Sequence, residues 1–118
     1  MKRVVIESPY AGDVELHKQY ARACVRDCIN RGEAPIASHL LYTQEGILND
    51  NDSFERTLGI LCGHAWIPIA DAVVVYLDYG MSVGMSEGIK VAAANDVPII
   101  FRKLWGFGTI KVPEITGK

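Results

Sequence analysis

Ala70-Asp71-Ala72-Val73-Val74-Val75-Tyr76-Leu77-Asp78-Tyr79-Gly80-Met81-Ser82-Val83-Gly84-Met85-Ser86-Glu87-Gly88-Ile89 is the stretch whose reading decides the fold. It opens as an apolar run rich in β-branched residues, the signature of a strand buried on both faces. It passes Asp78 and Gly80 and then becomes a run of small residues with helical character. A Gly/Ser turn that enters a helix leaves backbone N–H groups free beside a partial positive charge, an arrangement suited to an anion. The stretch therefore reads as strand, ligand loop and helix.

Working outward, Val4-Val5-Ile6 predicts a short buried strand over residues 3–8. Ser8-Pro9-Tyr10-Ala11-Gly12-Asp13 breaks it, with Asp13 placed to cap the next helix. That helix is expected over residues 14–30, with Val14, Ala21, Cys24, Val25 and Cys28 at helical spacing and Lys18, Arg22 and Arg26 on the solvated face. Ala34–His39 reads as a second strand with His39 near its exit. Leu40–Asp50 reads as an irregular crossing. Asp52 and Glu55 have the spacing of a capping box, ahead of an apolar helix face of Phe54, Leu58, Leu61, Cys62 and Ala65. Gly59 and Gly63 on that helix allow another backbone to approach closely, and Pro68 ends it. Val97–Arg102 reads as a fourth strand. In the tail, residues 103–118, Ile110-Lys111-Val112 alternates as an edge strand would.

Strands alternating with helices predict a parallel sheet. With right-handed crossovers, the expectation is one α/β domain over residues 1–118. It is a three-layer sandwich on a parallel, flavodoxin-like sheet of four or five strands.

Composition narrows the function. The chain has 118 residues, 49% of them hydrophobic, and a net charge of −2. That is enough apolar material for a core, and it lacks the basic footprint of a protein that binds nucleic-acid polymers. No run is long enough to span a membrane. Three cysteines, an odd number, without a secretory signal lead to the expectation of a reduced, cytoplasmic protein. Cys24 and Cys28 suit core thiols better than metal ligands, and no metal or redox cofactor is implied.

The candidate ligand residues cluster where strands are expected to end, the place open α/β sheets use for binding. Neither a dinucleotide fingerprint nor a P-loop occurs. Ser8, Tyr10 and Gly12 suit a nucleoside loop equally well as an ordinary turn. Lone His39 suits a structural role or a ligand contact, and Arg56 a phosphate contact or a solvated helix face. Asp50 is a further residue within reach of a cleft. Asp78, at the end of the central strand, suits a ribose hydroxyl or a turn cap. Ser82 is a helix cap with Gly84 and Met85 behind it. Glu87 is the one carboxylate at the helix start and so the candidate nucleophile toward an anomeric carbon. Periodicity opposes that role. Met85, Ile89 and Ala92 define the sheet-facing side, and at about 100° per residue Glu87 points away from it beside Val91 and Ala94. That side suits a subunit interface.

Taken together, several blocks of residues resemble the nucleoside 2-deoxyribosyltransferase-like superfamily, closest to a branch found in phages and bacteria. They are Ser8-Pro9-Tyr10 with Gly12-Asp13, Pro35 with His39-Leu40-Leu41, Leu48 with Asp50 and Asp52, Glu55-Arg56 with Gly59, and Ser82-x-Gly84-Met85 with Ile89, Ala92 and Pro98-Ile99. The resemblance runs from Val4 to Arg102. It implies the flavodoxin-like sheet, a homodimer or higher oligomer, and a pocket at the strand carboxyl ends. Ser8, Tyr10 and Gly12 would line that pocket, Asp78 would approach it from the central strand, and Ser82, Gly84 and Met85 would form its anion turn; with Pro9, His39 and Arg56 these are the candidate ligand-binding residues. It also implies a glutamate nucleophile on the helix after the central strand, assisted by an aspartate. In an ungapped comparison that glutamate falls on Gly88, and Glu87 lies one position early.

Two functional expectations follow. The favoured one is a binder of a nucleotide or nucleotide-derived small molecule without glycosidic cleavage, which in a phage would sequester a nucleotide signal. The alternative is a nucleoside deoxyribosyltransferase or nucleoside-monophosphate N-glycosidase with Glu87 as nucleophile and Asp78 or His39 assisting proton transfer to the leaving base.

Overall fold

Val73, Val74, Val75 and Tyr76 have no exposed surface. They form the middle of β3 (Ala72–Tyr76), which pairs with β1 (Lys2–Glu7) on one side and β4 (Ile99–Arg102) on the other. β2 (Glu33–Ile36) adds to the far side of β1, so the order is β2-β1-β3-β4 with every pairing parallel. This computed structural model describes residues 1–105. The edge strand expected near Ile110-Lys111-Val112 lies outside the described residues.

Each strand needs a covered crossover, and the helices supply two further layers. α1 (Val14–Asn30) is capped by Asp13, whose carboxylate accepts from the Leu16 amide at 3.1 Å, and it lies where the spacing predicts. Its Tyr20, Cys24 and Cys28 pack with Val4, Ile6, Val74 and Tyr76 on one sheet face. On the other face, Val5, Val73 and Val75 meet Met85 and Ala92 of α4 (Val83–Ala94), and Ile67 of the 3₁₀ turn Ile67–Ile69. Burying one such aliphatic side chain contributes roughly 1.5–3 kcal/mol. The alternation along β1 sends Val4 and Ile6 to α1, and Val5 and Glu7 to α4.

Two expectations are corrected. β2 stops at Ile36, because amides 40 and 41 turn back to the Ala37 carbonyl and start a four-residue helix, α2 (Ser38–Leu41). His39 therefore stands on a helical turn above the sheet, not at a strand exit. α3 (Ser53–Ala65) is capped by Asp52 as predicted, but Phe54, Leu58 and Leu61 stay exposed. Its buried member is Gly63, against which Ser38 of α2 packs: a Cβ there would lie 2.9 Å from that of Ser38.

A polar cluster closes the α1 side. Arg102 donates two hydrogen bonds to the carboxylate of Glu33, at 2.8 and 2.6 Å, and Tyr76 donates to Asp27 at 2.7 Å. A forked pair of this kind is directional as well as charged.

Candidate functional site

The direction in which strands are added to the sheet reverses between β1 and β3: β2 lies outside β1, and β4 lies outside β3. In open α/β sheets a cleft forms at the carboxyl ends of strands at such a switch point. Here a cavity of about 560 Å³ opens beside the end of β1. It is lined by Glu7, Tyr10, Ala11, the α2 turn, the α3 residues Arg56, Gly59, Ile60 and His64, and the start of α4. A second hollow, of about 550 Å³, lies beyond Tyr10 against Val14 and Lys18. Neither Glu7 nor α4 lines it.

The start of α4 is built as the Gly/Ser turn predicts. Ser82 Oγ accepts from the Met85 amide at 3.2 Å, and the Ser82 amide donates back to the Met85 sulfur at 3.4 Å. Met85 thus plays the reciprocal part that Glu or Gln plays in a capping box. The amides of Val83 and Gly84, the first two residues of the helix, have no partner within it. Both residues line the cavity.

Across the cavity, the rings of Tyr10 and His39 stack with centroids 4.9 Å apart and planes at 26°. Burial lowers the His39 pKa, opposed by the Ser8 backbone and Asp50, so the neutral imidazole is favoured. The Tyr10 carbonyl is held by His17 Nδ1 at 3.0 Å, which fixes the loop before α1. Gly12 in that loop has φ of +93°, a left-handed conformation that favours glycine. Arg56 and His64 face the cavity from α3, and desolvation lowers the His64 pKa.

Of the residues expected to touch a ligand, Tyr10, His39, Arg56, Ser82 and Gly84 line this cavity, and so do Asp50 and Glu87. Ser8, Pro9, Gly12, Asp78 and Met85 do not. Ser8 and Pro9 are buried beneath the loop, Gly12 shapes it, and the Met85 side chain points into the core.

Asp78 requires the larger correction. Its carboxylate accepts from the Tyr20 hydroxyl, from the Leu104 amide at 2.9 Å and from the Trp105 amide at 3.1 Å. Its own amide donates to the Tyr20 oxygen at 3.0 Å. It is 1% exposed. This carboxylate ties the exit of β4 and helix α1 to the exit of β3, and its oxygens are occupied in doing so.

Glu87 is at the cavity rim. Its side chain is 53% exposed and pairs with Lys90 at 3.1 Å, one helical turn along. Gly88, by contrast, is buried, and directly over it lies the carboxyl group of Glu7.

Glu7 is the residue that the sequence reading passed over. It is 9% exposed, and burial pushes its pKa up to about 8. The signal was present but faint. Glu7 ends a β-branched strand, with the parity that faces α4, and α4 carries a glycine one turn in. Linking them requires the register of strand against helix. His64 was also missed, since a lone helical histidine carries no local sign of a cavity.

The fold and site together define a three-layer α/β domain with a cavity at its sheet switch point, floored by a strand carboxyl group and a helix N-terminus. Residues 2–102 match the sequence profile of a family described as a domain of unknown function, DUF7768, and the chain belongs to that family. No curated protein matches the sequence.

Among solved structures, a 2-deoxyribosyltransferase from the psychrotolerant bacterium Bacillus psychrosaccharolyticus is similar with a TM-score of 0.59 at 14% identity. The match covers 89% of this chain and 74% of that one. A 2-deoxyribosyltransferase from Leishmania mexicana gives a TM-score of 0.48 at 16% identity, covering 87% of this chain and 65% of that one. The first likeness is one of fold, and it agrees with the parallel sheet expected from the sequence. Among the described residues, no helix is long and apolar enough to cross a membrane.

Proposed function

We propose that the chain binds a nucleoside or nucleotide in the cavity beside β1. The observation that carries this reading is the convergence there of three kinds of contact. The free amides of Val83 and Gly84, with Arg56, suit a phosphate or an oxygen-rich sugar. The stacked Tyr10 and His39 rings supply a flat face for a base. The remaining wall, with Leu48, Gly59, Ile60 and Val83, is apolar, as small-molecule cavities usually are. The fold shared with a 2-deoxyribosyltransferase supports the same ligand class. A thermal-shift screen of nucleosides and nucleoside mono-, di- and triphosphates tests it, with native mass measurement of whatever co-purifies. A ligand should raise the melting temperature in a concentration-dependent way. No shift with any member of the panel would refute the reading.

Cleavage of a glycosidic bond by Glu87 is the second reading. In its favour, Glu87 lines the rim of the cavity. Against it stand its exposure and its pairing with Lys90, so binding without a Glu87 nucleophile is preferred. A second copy of the chain is the proposed cover for α3, where Phe54, Leu58 and Leu61 form one exposed apolar stripe. Because Gly59 and Ile60 of the same helix line the cavity, that partner would sit beside the ligand.

A further inference from the structure

Glu7 stands out among the groups around the cavity. A buried carboxyl group normally finds a donor or a cation, because desolvation without compensation is costly. Asp78 finds three donors and Glu33 finds Arg102. Glu55, also on the cavity wall, accepts from the Asn49 amide at 2.6 Å. Among the described residues, no hydrogen bond or ion pair reaches the Glu7 carboxyl group, although the residue is only 9% exposed. It lines the cavity, so the partner that it lacks within the chain has room to come from a ligand.

Its place against α4 narrows what that partner is. The carboxyl group lies over Gly88, so close that a Cβ there would stand 2.8 Å from one oxygen and far inside contact distance of the other. Gly88 follows Gly84 by four residues of the same helix, about 6 Å along its axis. The free amides of Val83 and Gly84 and the carboxyl group of Glu7 are therefore separated by about one helical turn. A phosphate held by those amides has its sugar ring beside it, since only O5′ and C5′ intervene, and the base lies farther out. The part of the ligand within reach of Glu7 is then the sugar, while the base meets the Tyr10 and His39 rings across the cavity.

We propose that Glu7 is the sugar-recognition residue of this cavity, engaging the adjacent 2′- and 3′-hydroxyls of a bound ribonucleoside or ribonucleotide and so selecting ribose over 2′-deoxyribose. The inference rests on the binding reading given above. Each ribose hydroxyl both donates and accepts, so the pair matches a carboxyl group in either protonation state. Ionised, Glu7 accepts from both hydroxyls; protonated, it donates to one and accepts from the other. A cationic ligand group would pair only with the ionised form, which burial disfavours by pushing the pKa up to about 8. A carboxyl group that keeps its proton at neutral pH also does not repel a phosphate one turn away along α4. A 2′-deoxy sugar offers one hydroxyl where two are matched, and a buried polar group left short of a partner lowers affinity.

The test measures, by calorimetry on the full chain, the affinities of adenosine, guanosine, cytidine, uridine and their 5′-mono-, di- and triphosphates, each against its 2′-deoxy counterpart. Every ribose compound that binds wild type should do so about tenfold or more tightly than its counterpart, the scale of a buried group left without its partner. Glu7→Met keeps the length of the side chain and removes its polar atoms. It should bring each pair to within about twofold, by weakening the ribose compound and leaving the 2′-deoxy compound little changed. Glu7→Gln retains a donor and an acceptor and should keep most of the preference. The readout is a ratio within one variant, so a general loss of folded protein moves both affinities together and leaves it unchanged. If wild type binds ribose and 2′-deoxyribose compounds equally or prefers the latter, or if the preference survives in Glu7→Met, the role of Glu7 is overturned and the binding reading stands. If wild type binds none of these compounds, the binding reading fails, and sugar recognition with it.

Discussion

Glu7 and Gly88 share one space: the carboxyl group at the end of β1 occupies the volume that a side chain on α4 would fill. A side chain at position 88 would have to displace the Glu7 carboxyl group. Gly88→Ala should therefore lower stability by about 1–3 kcal/mol, the usual cost of overpacking, despite alanine's better helix propensity. Glu7→Ala combined with Gly88→Ala should recover most of that loss. Denaturant melts of the two single variants and the double variant measure the coupling, and additive effects would show that the two positions do not compete.

The same carboxyl group makes stability depend on pH. Its folded pKa lies at about 8, above the ordinary 4.5, so between these values the folded state binds more protons than the unfolded one. Stability should fall as pH rises across that window, and the penalty is complete above it. Glu7→Gln should flatten the decline. Glu33 acts in the opposite sense. Arg102 lowers its pKa, so its contribution is present above the ordinary carboxylate range and is lost in acid. Melting temperatures of wild type and Glu7→Gln from pH 4 to pH 9 test both signs.

Asp78 gives a prediction about fold rather than ligand. Asp78→Ala leaves the Leu104 and Trp105 amides and the Tyr20 hydroxyl without their acceptor. Stability should drop by about 3 kcal/mol or more, since each buried unsatisfied group costs roughly 1–3 kcal/mol. Ligand affinity of the protein that remains folded should stay within a few-fold of wild type. A selective loss of affinity with stability intact would return Asp78 to the ligand.

Arg56 should discriminate between charged and neutral ligands. Arg56→Gln is expected to weaken a nucleoside monophosphate by about tenfold and the matching nucleoside far less, in keeping with one charge-assisted contact at a cavity edge. Calorimetric titration with each ligand at low and moderate salt provides the comparison. Equal losses for both would remove the phosphate from Arg56.

The exposed stripe on α3 bears on assembly. Phe54 is 70% exposed and Leu61 58% exposed, although the helix pattern marks them as an inward face. Replacing both with glutamate should turn a dimer or larger species into a monomer in sedimentation experiments without lowering monomer stability, since neither is buried within the chain. If wild type is already a monomer at high micromolar concentration, the proposed cover for α3 is wrong.

Most of the fold was legible because its signals are local. Val73–Tyr76 is apolar at every position, as a strand covered on both faces must be. Asp13, Asp52 and Ser82 stand three residues before the amides that they cap, and each cap forms. His39 was misplaced because two short hydrogen-bonded turns outweighed extension of a four-residue edge strand. Asp78 and Met85 looked like ligand residues because both flank the ligand turn. Their partners, Tyr20 for one and the Ser82 amide together with the core for the other, emerge only on folding.

The sequence by itself determined the parallel α/β class, the caps that start its helices and the Gly/Ser turn at the head of α4, because short-range spacing and side-chain chemistry suffice for each. Tertiary structure alone decided which carboxyl group is buried at the cavity floor. Glu87 is carried outward by helical periodicity to Lys90, Asp78 is consumed by amides and a hydroxyl, and Glu7 is turned inward by strand alternation onto a glycine that is distant in sequence. That selection depends on which strand face meets which turn of α4, a long-range packing relation that no local pattern encodes.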